Sequence, residues 1–240
     1  MTTVGSGRGA PAEGATVDND RRPIGHGRML RKEDPRFLRG RGQFIDDIRL
    51  PGMLHLAILR APHAHARIVH IDVSAAQAHP RVLLVVSGVE LAEQGLAWMP
   101  TLHDDVQAVL ATDKVRFQGQ EVAFVVAKDR YAARDALELI DVHYDPLPAV
   151  VDLRTALNQD APVVRDDRVV APGRPANHCF DWESGDAVAT DAVFARADVV
   201  VSQEVVYPRV HPAPMETCGA VADYDPIDGK LTLYLSLIHI

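Results

Sequence analysis

Residues Val115–Asp152 read VRFQGQEVAFVVAKDRYAARDALELIDVHYDPLPAVVD, and this stretch decides the fold. The apolar, β-branched run Val122–Ala127 predicts a buried strand. Asp129 then predicts a helix N-cap, and apolar residues follow at helical spacing as far as Ile140. From Ile140 the period changes to two, which predicts a strand ending at the DPLP turn, and Ala149–Val151 predicts another strand. Strand, helix, strand, turn and strand therefore follow one another, and the flanking chain must cover their apolar faces.

The composition is ordinary for a soluble globular protein of one large domain or two smaller ones. Of the 240 residues, 47% are hydrophobic and 24% are charged, and no apolar run approaches the ~20 residues of a membrane span. A net charge of −8 argues against a general nucleic-acid-binding protein. Two cysteines without CxxC spacing predict free thiols in a reducing compartment. We therefore expect a cytoplasmic protein, with a peripheral position on the inner face of the membrane left open.

The first 41 residues differ in charge from the rest of the chain. They carry nine Lys or Arg against five Asp or Glu, which leaves 16 against 28 elsewhere. Such a basic arm could bind an acidic surface of this chain or of a partner, although a solvent-exposed N-terminal segment is the simpler interpretation. Residues 1–21 are small, polar and rich in Gly, Ala and Pro, which predicts a disordered tail.

The chain between the arm and the central stretch predicts several short elements. In the strand over Ile68–Val73, strict alternation would place Ile68, His70 and Asp72 on one face and the residues between them on the other. Residues 95–113 mix Trp, Met, His and adjacent aspartates, which predicts a long loop packed against the rest of the domain. The other predicted elements are helical pieces over Arg31–Leu38 broken by Pro35, strands over Met53–Leu59 and Val82–Val86, a helical turn over Ala75–Ala78 and a short helix over Gly88–Gln94.

The last third of the chain predicts a linker and the beginning of a second domain. Residues 158–176 are rich in Pro, Asp, Arg and Val, as linkers often are. A helix over Ala187–Ala197, a strand over Val199–Tyr207 and a hairpin of Gly219–Tyr224 with Leu231–Tyr234 around the turn Pro226–Gly229 follow. We expect residues 40–152 to resist proteolysis and the segment after Ala187 to be loosely held, because its partner strands are missing.

Two histidine-containing groups are candidates for chemistry, and each also has a structural interpretation. His63, His65, His70 and Asp72 could form a metal site, but no Cys or Glu completes a tetrahedral set, so a structural role is favoured. His178 and Cys179 could be a base and a nucleophile only if the fold turned these chain neighbours toward each other.

The remaining candidates are carboxylates and one glycine-rich run. The pairs Asp46-Asp47 and Asp104-Asp105 are typical of capping and solvated turns. Residues 5–9 precede no helix and follow no strand, so they are not a dinucleotide-binding fingerprint. Glu216, in HPAPMETCG, has prolines fixing its N-terminal side. It could serve a site, although binding of neighbouring backbone N–H groups is favoured. Taken alone, the residues form no catalytic constellation.

The order of five motifs resembles the molybdenum-binding subunit of the xanthine dehydrogenase/aldehyde oxidase family from about Arg22 to Tyr234. The motifs are RKEDPRFLRGRGQFIDDIRLPGMLH, RAPHAHARIVHIDVSAA, FQGQEVAFVVA, YAARDALELIDVHYDPLPAVVD and HPAPMETCGAVADYDP. Within the family, the segments WMPTL, DDVQAVL, GDAVATDAVFARA and YPRVHPAPMETCG are most similar to large subunits of the aerobic carbon monoxide dehydrogenase type.

The resemblance implies an α+β fold. Residues 22–157 would be the α/β hammerhead domain with its N-terminal arm, 158–176 a linker, and 177–234 the incomplete start of the first molybdopterin-binding domain. Residues 235–240, LSLIHI, stand where the family continues with a polar strand end and Gln. They are also what CTG TCT CTT ATA CAC ATC encodes, a transposon end used as a sequencing adapter. We therefore expect a gene fragment read through into adapter, a hypothesis that resequencing of the locus tests.

The resemblance also implies an enzyme whose active site lies outside this chain. The full-length protein would carry molybdenum on molybdopterin cytosine dinucleotide, with copper in the carbon monoxide type. It would work beside an iron–sulfur small subunit and an FAD-binding medium subunit, in a dimer of heterotrimers. The family's glycine-rich GGGFG loop, its Cys-containing loop and its catalytic Glu would all follow residue 240, so no catalytic, cofactor-binding or metal-binding residue is transferred. The alternatives are an aldehyde- or heteroaromatic-oxidising relative and, for this chain alone, a non-catalytic scaffold or interaction domain.

Overall fold

A computed structural model describes residues 32–96, 98–99, 107–168, 170–208, 210, 213–214 and 216–236. Their contacts form two units, a larger one over Arg49–Pro208 and a smaller one in which Met1–Ile48 is grouped with Arg209–Ile240. The elements of the larger unit are β1 (His55–Arg60), β2 (Ala66–Asp72), α2 (Ser74–Gln77), β3 (Val82–Ser87), α3 (Gly88–Glu93), β4 (Trp98–Met99), β5 (Gln107–Ala108), β6 (Lys114–Val115), β7 (Glu121–Ala127), α4 (Arg130–Leu137), β8 (Asp141–Pro146) and α5 (Ala187–Phe194). Those of the smaller unit are α1 (Asp34–Leu38), a 3-10 turn (Ile45–Asp47), β9 (Ala220–Asp225) and β10 (Lys230–Leu235).

The centre of the larger unit is β7, which confirms the strand predicted from the quoted stretch. It lies between β1 and β3 and pairs antiparallel with both. Ala123, Val125 and Ala127 are fully buried on one face. Phe124 and Val126, on the other face, are half-buried, so the strand is apolar on both faces and reads as a continuous apolar run instead of an alternating one. On the opposite face of the same sheet, Leu56 and Leu84 remain 56% and 50% exposed.

Helix α4 covers the buried face of this sheet, and its cap is the one that the sequence predicts. The Asp129 side chain accepts hydrogen bonds from the N–H groups of Tyr131 and Ala132, at 2.9 and 3.0 Å. Ala132, Ala133 and Ala136 are the buried residues of the helix. Their small side chains let the helix lie close to the strands, so the core here depends on alanine and valine.

A second sheet, in the order β6-β2-β8, corrects one expectation about which residues share a face. The pairing of β2 with β8 shifts register between Ile68 and His70, which marks a β-bulge at Val69. A bulge adds one residue to a strand and reverses the alternation beyond it. Ile68 and Ile71 therefore both pack on the core, whereas Val69 is 61% exposed. The strict alternation predicted from the sequence is wrong at this point.

Two predicted strands are absent from the described residues, and the cause is the same in both. Pairing next to β8 ends where the Leu147 N–H donates to the His65 carbonyl, at 2.9 Å. Residues 149–151 lie beyond that bond and form no strand. Residues 199–207 also form no strand, and Val199, Val201 and Tyr207 are 79%, 83% and 88% exposed. An apolar β-branched run becomes a strand only where another strand supplies hydrogen-bonding partners.

Helix α3 begins directly after β3 with a capping box. The Ser87 N–H donates to the Glu90 carboxylate at 2.7 Å, and the Glu90 N–H donates to the Ser87 hydroxyl at 3.4 Å. Gly88 is required next, because a Cβ there would overlap the Ala111 carbonyl group, with its carbon at 2.7 Å. The helix therefore starts close against the loop that precedes β6.

The smaller unit contains the predicted hairpin of β9 and β10. Its turn ends at Gly229, whose φ of 65° favours glycine. The Ser236 hydroxyl, one residue beyond β10, accepts the Gly219 N–H at 2.8 Å. In α1, Pro35 occupies the first turn, where it needs no N–H partner. The expectation that Pro35 breaks this helix is therefore wrong.

No helix among the described residues is long and apolar enough to cross a membrane.

Candidate functional site

Among the candidate carboxylates, Glu216 makes a specific long-range contact within the described residues. Its Oε1 accepts the N–H of Ile45 at 3.0 Å, across 171 positions of the chain. Ile45 opens the 3-10 turn, and the preceding N–H, of Phe44, donates to the Asp47 carboxylate at 3.0 Å. The first N–H groups of the turn are therefore satisfied by two carboxylates. Glu216 has the backbone-binding role that the sequence favours, but the N–H group comes from a distant segment rather than from a neighbour.

A small cavity of about 150 Å³ lies beside this contact. Asp46, Asp47 and Glu216 bring three carboxylates to its lining, together with Cys218. Gly219 closes one side, since a Cβ there would lie 3.2 Å from Ile45 Cγ2. The cavity is smaller than most ligand pockets, which usually measure about 300–1,000 Å³, and its carboxylates disfavour an anion.

Three of the four residues considered as a metal site have separate structural roles. The His63 ring lies 5.0 Å from the ring of Tyr144, whose pKa is raised by burial. The buried His65 ring donates from Nδ1 to the Pro148 carbonyl at 2.6 Å. Asp72 accepts the Ser74 N–H at 2.9 Å. Across the described ranges, no cluster of three or more His, Cys, Asp or Glu could hold a metal ion.

His178 and Cys179 do not form a base–nucleophile pair. His178 Nε2 contacts the Asp181 carboxylate at 2.9 Å, whereas the exposed Cys179 thiol is a weak donor to the Asn177 carbonyl at 3.8 Å. The hydrogen bond from His178 lowers the pKa of Asp181, and the charge of Arg174 acts in the same direction. The imidazole is thus engaged away from the sulfur.

Two further candidates lie outside the described residues, namely Asp104-Asp105 and the glycine-rich run at 5–9. The Asp46-Asp47 pair is described, and the contact of Asp47 with the Phe44 N–H is the capping role expected of it.

The sequence did not point to Lys114, which is the most unusual charged residue of the larger unit. Its side chain is only 2% exposed, and its Nζ lies 2.6 Å from Oδ1 of Asp166. A single lysine between Asp113 and Val115 carries no spacing signal, and its partner lies 52 positions away in the segment that was expected to be a linker. No sequence pattern could have paired these two residues.

Two family models match the chain. One describes the aldehyde oxidase and xanthine dehydrogenase a/b hammerhead domain and matches residues 39–148. The other describes a molybdopterin cofactor-binding domain and matches residues 170–240. The chain belongs to the aldehyde oxidase and xanthine dehydrogenase family. The hammerhead domain and the start of the cofactor-binding domain, with mixed helices and strands, confirm the α+β fold class inferred from the resemblance.

Relatives within the family are similar over most of this chain. The carbon monoxide dehydrogenase large chain of Hydrogenophaga pseudoflava is 54% identical over 215 residues, which are 87% of this chain and 27% of that protein. The nicotine 6-hydroxylase large subunit of Paenarthrobacter nicotinovorans is 37% identical over 215 residues, covering 87% of this chain and 25% of that protein. A crystal structure of a Cu,Mo-CO dehydrogenase is 51% identical and superimposes with a TM-score of 0.76, over 86% of this chain and 27% of that one. This chain therefore spans about a quarter of the length of these family members.

The match to the cofactor-binding domain covers residues 170–240, and within it residues 199–207 are exposed.

Proposed function

We propose that this chain is the N-terminal part of the large subunit of a molybdenum-dependent oxidoreductase of the carbon monoxide dehydrogenase type. The observation that carries the proposal is the difference in identity between two relatives over equal lengths. The chain is 54% identical to a carbon monoxide dehydrogenase large chain and 37% identical to a nicotine 6-hydroxylase large subunit, each over 215 residues. The similarity to the Cu,Mo-CO dehydrogenase structure adds support at 51% identity.

The proposed reaction converts carbon monoxide and water to carbon dioxide, two protons and two electrons. A molybdenum centre on molybdopterin cytosine dinucleotide, with copper, would supply the redox chemistry when bound. The residues of this chain contribute a folded support rather than a reacting group. The buried sheet around β7 and the helix α4 form that support.

The organisation of the full-length protein follows from the same proposal. Residues 22–157 would form the hammerhead domain with its arm, 158–176 the connection, and 177–234 the start of the first cofactor-binding domain. The electrons would pass to an iron–sulfur small subunit and then to an FAD-binding medium subunit, in a dimer of heterotrimers in the cytoplasm, with attachment to the inner membrane face left open. Apolar residues that are exposed in this chain, such as Leu56, Val201 and Tyr207, support burial within a larger body.

The test is purification of the full-length gene product together with the subunits encoded beside it. We expect carbon monoxide to reduce an artificial electron acceptor, with molybdenum and copper present by elemental analysis. Turnover of aldehydes or heteroaromatic compounds without turnover of carbon monoxide would overturn the substrate assignment. Absence of molybdenum from an active preparation would overturn the cofactor assignment.

A second candidate is a heteroaromatic- or aldehyde-oxidising enzyme of the same family, favoured by the similarity to the nicotine 6-hydroxylase large subunit. The same purified protein distinguishes the two candidate functions, because the two enzymes differ in the substrate whose oxidation reduces the electron acceptor. For the 240-residue chain alone, we propose a non-catalytic scaffold. Elemental analysis of the isolated chain should find no stoichiometric molybdenum, and finding it would contradict this role.

A further inference from the structure

Lys114 is a buried cation that the proposed function does not use. It lies in β6, between the apolar core and the surface, with 2% of its side chain exposed. Burial of an unpaired ammonium group is strongly unfavourable, so a lysine in this position requires an anion close by. Asp166 is that anion, at 2.6 Å from Nζ, and it belongs to the connecting segment rather than to the sheet.

Arg116, two positions further along the chain, strengthens the same attachment. Its side chain is 13% exposed, and its Nη2 lies 3.5 Å from Asp166 and 3.6 Å from Asp167. The Arg116 Nη1 also donates to the Lys114 carbonyl at 3.1 Å, which restrains the Arg116 guanidinium. Two cations of the hammerhead body therefore face two consecutive carboxylates of the connection.

Asn177 holds the other end of the connection. Its Nδ2 donates to the carbonyls of Ala156 and Pro162, at 3.0 and 2.9 Å, and its Oδ1 accepts the Val164 N–H at 2.9 Å. One side chain thus joins three points of the segment that precedes it. All of these residues belong to the unit Arg49–Pro208.

We propose that the connection, residues 158–168 and 170–177, is a fixed strap, latched to the hammerhead body by Lys114 with Asp166 and closed by Asn177. The cofactor-binding family match begins at residue 170, so the strap makes the first residues of that match part of the hammerhead body. This proposal does not depend on the substrate or the cofactor. Because the strap is held against β6, the residues at which the sequence of the cofactor-binding domain begins keep a fixed position relative to that strand.

Hydrogen exchange of the full-length gene product tests the latch. Lys114→Met keeps the length of the buried side chain and removes the charge, so the core stays packed while Asp166 loses its closer cation and keeps only the longer contact with Arg116. We expect the peptide that contains the Val164 amide to exchange about tenfold faster, because local opening of the strap becomes easier. Asp166→Asn should have at least the same effect, since it leaves a buried ammonium group with a weaker partner.

Arg154→Met is the matched control. Arg154 also bridges two distant segments, with its Nη2 3.0 Å from Glu204, but the two side chains are 72% and 75% exposed. This variant should change exchange of the strap less than about twofold, because exposed ion pairs contribute little. Unchanged exchange of the strap in both Lys114→Met and Asp166→Asn would overturn the proposal. Equal acceleration in the strap and in a peptide from β7 would also overturn it, since the pair would then stabilise the whole domain.

Discussion

At the scale of single residues, Glu216 joins two distant parts of the smaller unit by one hydrogen bond to the Ile45 N–H. We predict that Glu216→Ala increases the exchange rate of the Ile45 amide about tenfold, because a partly buried donor loses its acceptor. Glu216→Gln should change this rate far less, because the side-chain amide oxygen can still accept. Hydrogen exchange of the peptide over residues 42–50 measures both variants.

The pair of variants also separates the backbone-binding role from a catalytic one. If Glu216 serves only the turn at Ile45–Asp47, Glu216→Gln leaves oxidation by the full-length enzyme within about twofold of wild type. A loss of activity in Glu216→Gln with unchanged exchange at Ile45 would show that the carboxylate takes part in chemistry.

At the scale of elements, the two helices with aspartate caps differ in what they cover. Asp129 caps α4, whose three alanines are buried, and Asp186 caps α5, which buries no residue. We predict that Asp129→Ala lowers the folding equilibrium constant of the larger unit roughly fivefold, through loss of the cap. Asp186→Ala should leave it unchanged, because α5 does not contribute to the core. Urea unfolding of both variants measures the difference.

The charge of Asp129 can be separated from its capping. Asparagine is also a good N-cap, so Asp129→Asn should retain most of the stability while it weakens the contact with Arg81. A loss in Asp129→Asn as large as that in Asp129→Ala would assign the effect to the ion pair instead of the cap.

At the scale of the whole molecule, residues 40–152 and the segment after residue 187 should differ in resistance to proteolysis. The core residues Val122, Val125 and Ala136 are almost fully buried, whereas Val188, Val201 and Tyr207 are more than 80% exposed. Limited proteolysis of the 240-residue chain, with fragments mapped by mass, should cut after residue 187 before it cuts within residues 40–152. Equal protection of both parts would contradict this prediction.

The loss of folding stability in acid should also involve the whole larger unit. A hydrogen bond from the Ala132 N–H lowers the pKa of Asp129, and a hydrogen bond from Lys114 lowers that of Asp166, both from 3.8. A carboxylate with a lowered folded pKa stabilises the protein above its unfolded pKa and loses that contribution as pH falls through the folded value. We predict a nearly constant free energy of unfolding between about pH 7 and pH 5, then a steep fall below about pH 4.

Measurement of unfolding at several pH values tests this, with Asp129→Asn and Asp166→Asn as controls. Each variant removes one titrating group, so its stability should fall less steeply below pH 4 than that of the wild type. Identical slopes in the wild type and both variants would assign the acid response to other groups.

The sequence alone determined the elements whose cause is local. The run in β7, the cap at Asp129 and the turn ending at Gly229 each depend on residues within a few positions, and each prediction was confirmed. The family also followed from the sequence, because five motifs in a fixed order are specific even without a catalytic group.

Tertiary structure alone decided the features whose partners are distant. The bulge at Val69 depends on the register with β8, and residues 199–207 form no strand because no neighbouring strand pairs with them. The contacts of Glu216 with Ile45 and of Lys114 with Asp166 join positions 171 and 52 apart. Periodicity reports which side of an element is apolar, but it carries no information about which distant donor meets which acceptor. That pairing arises only when the chain folds.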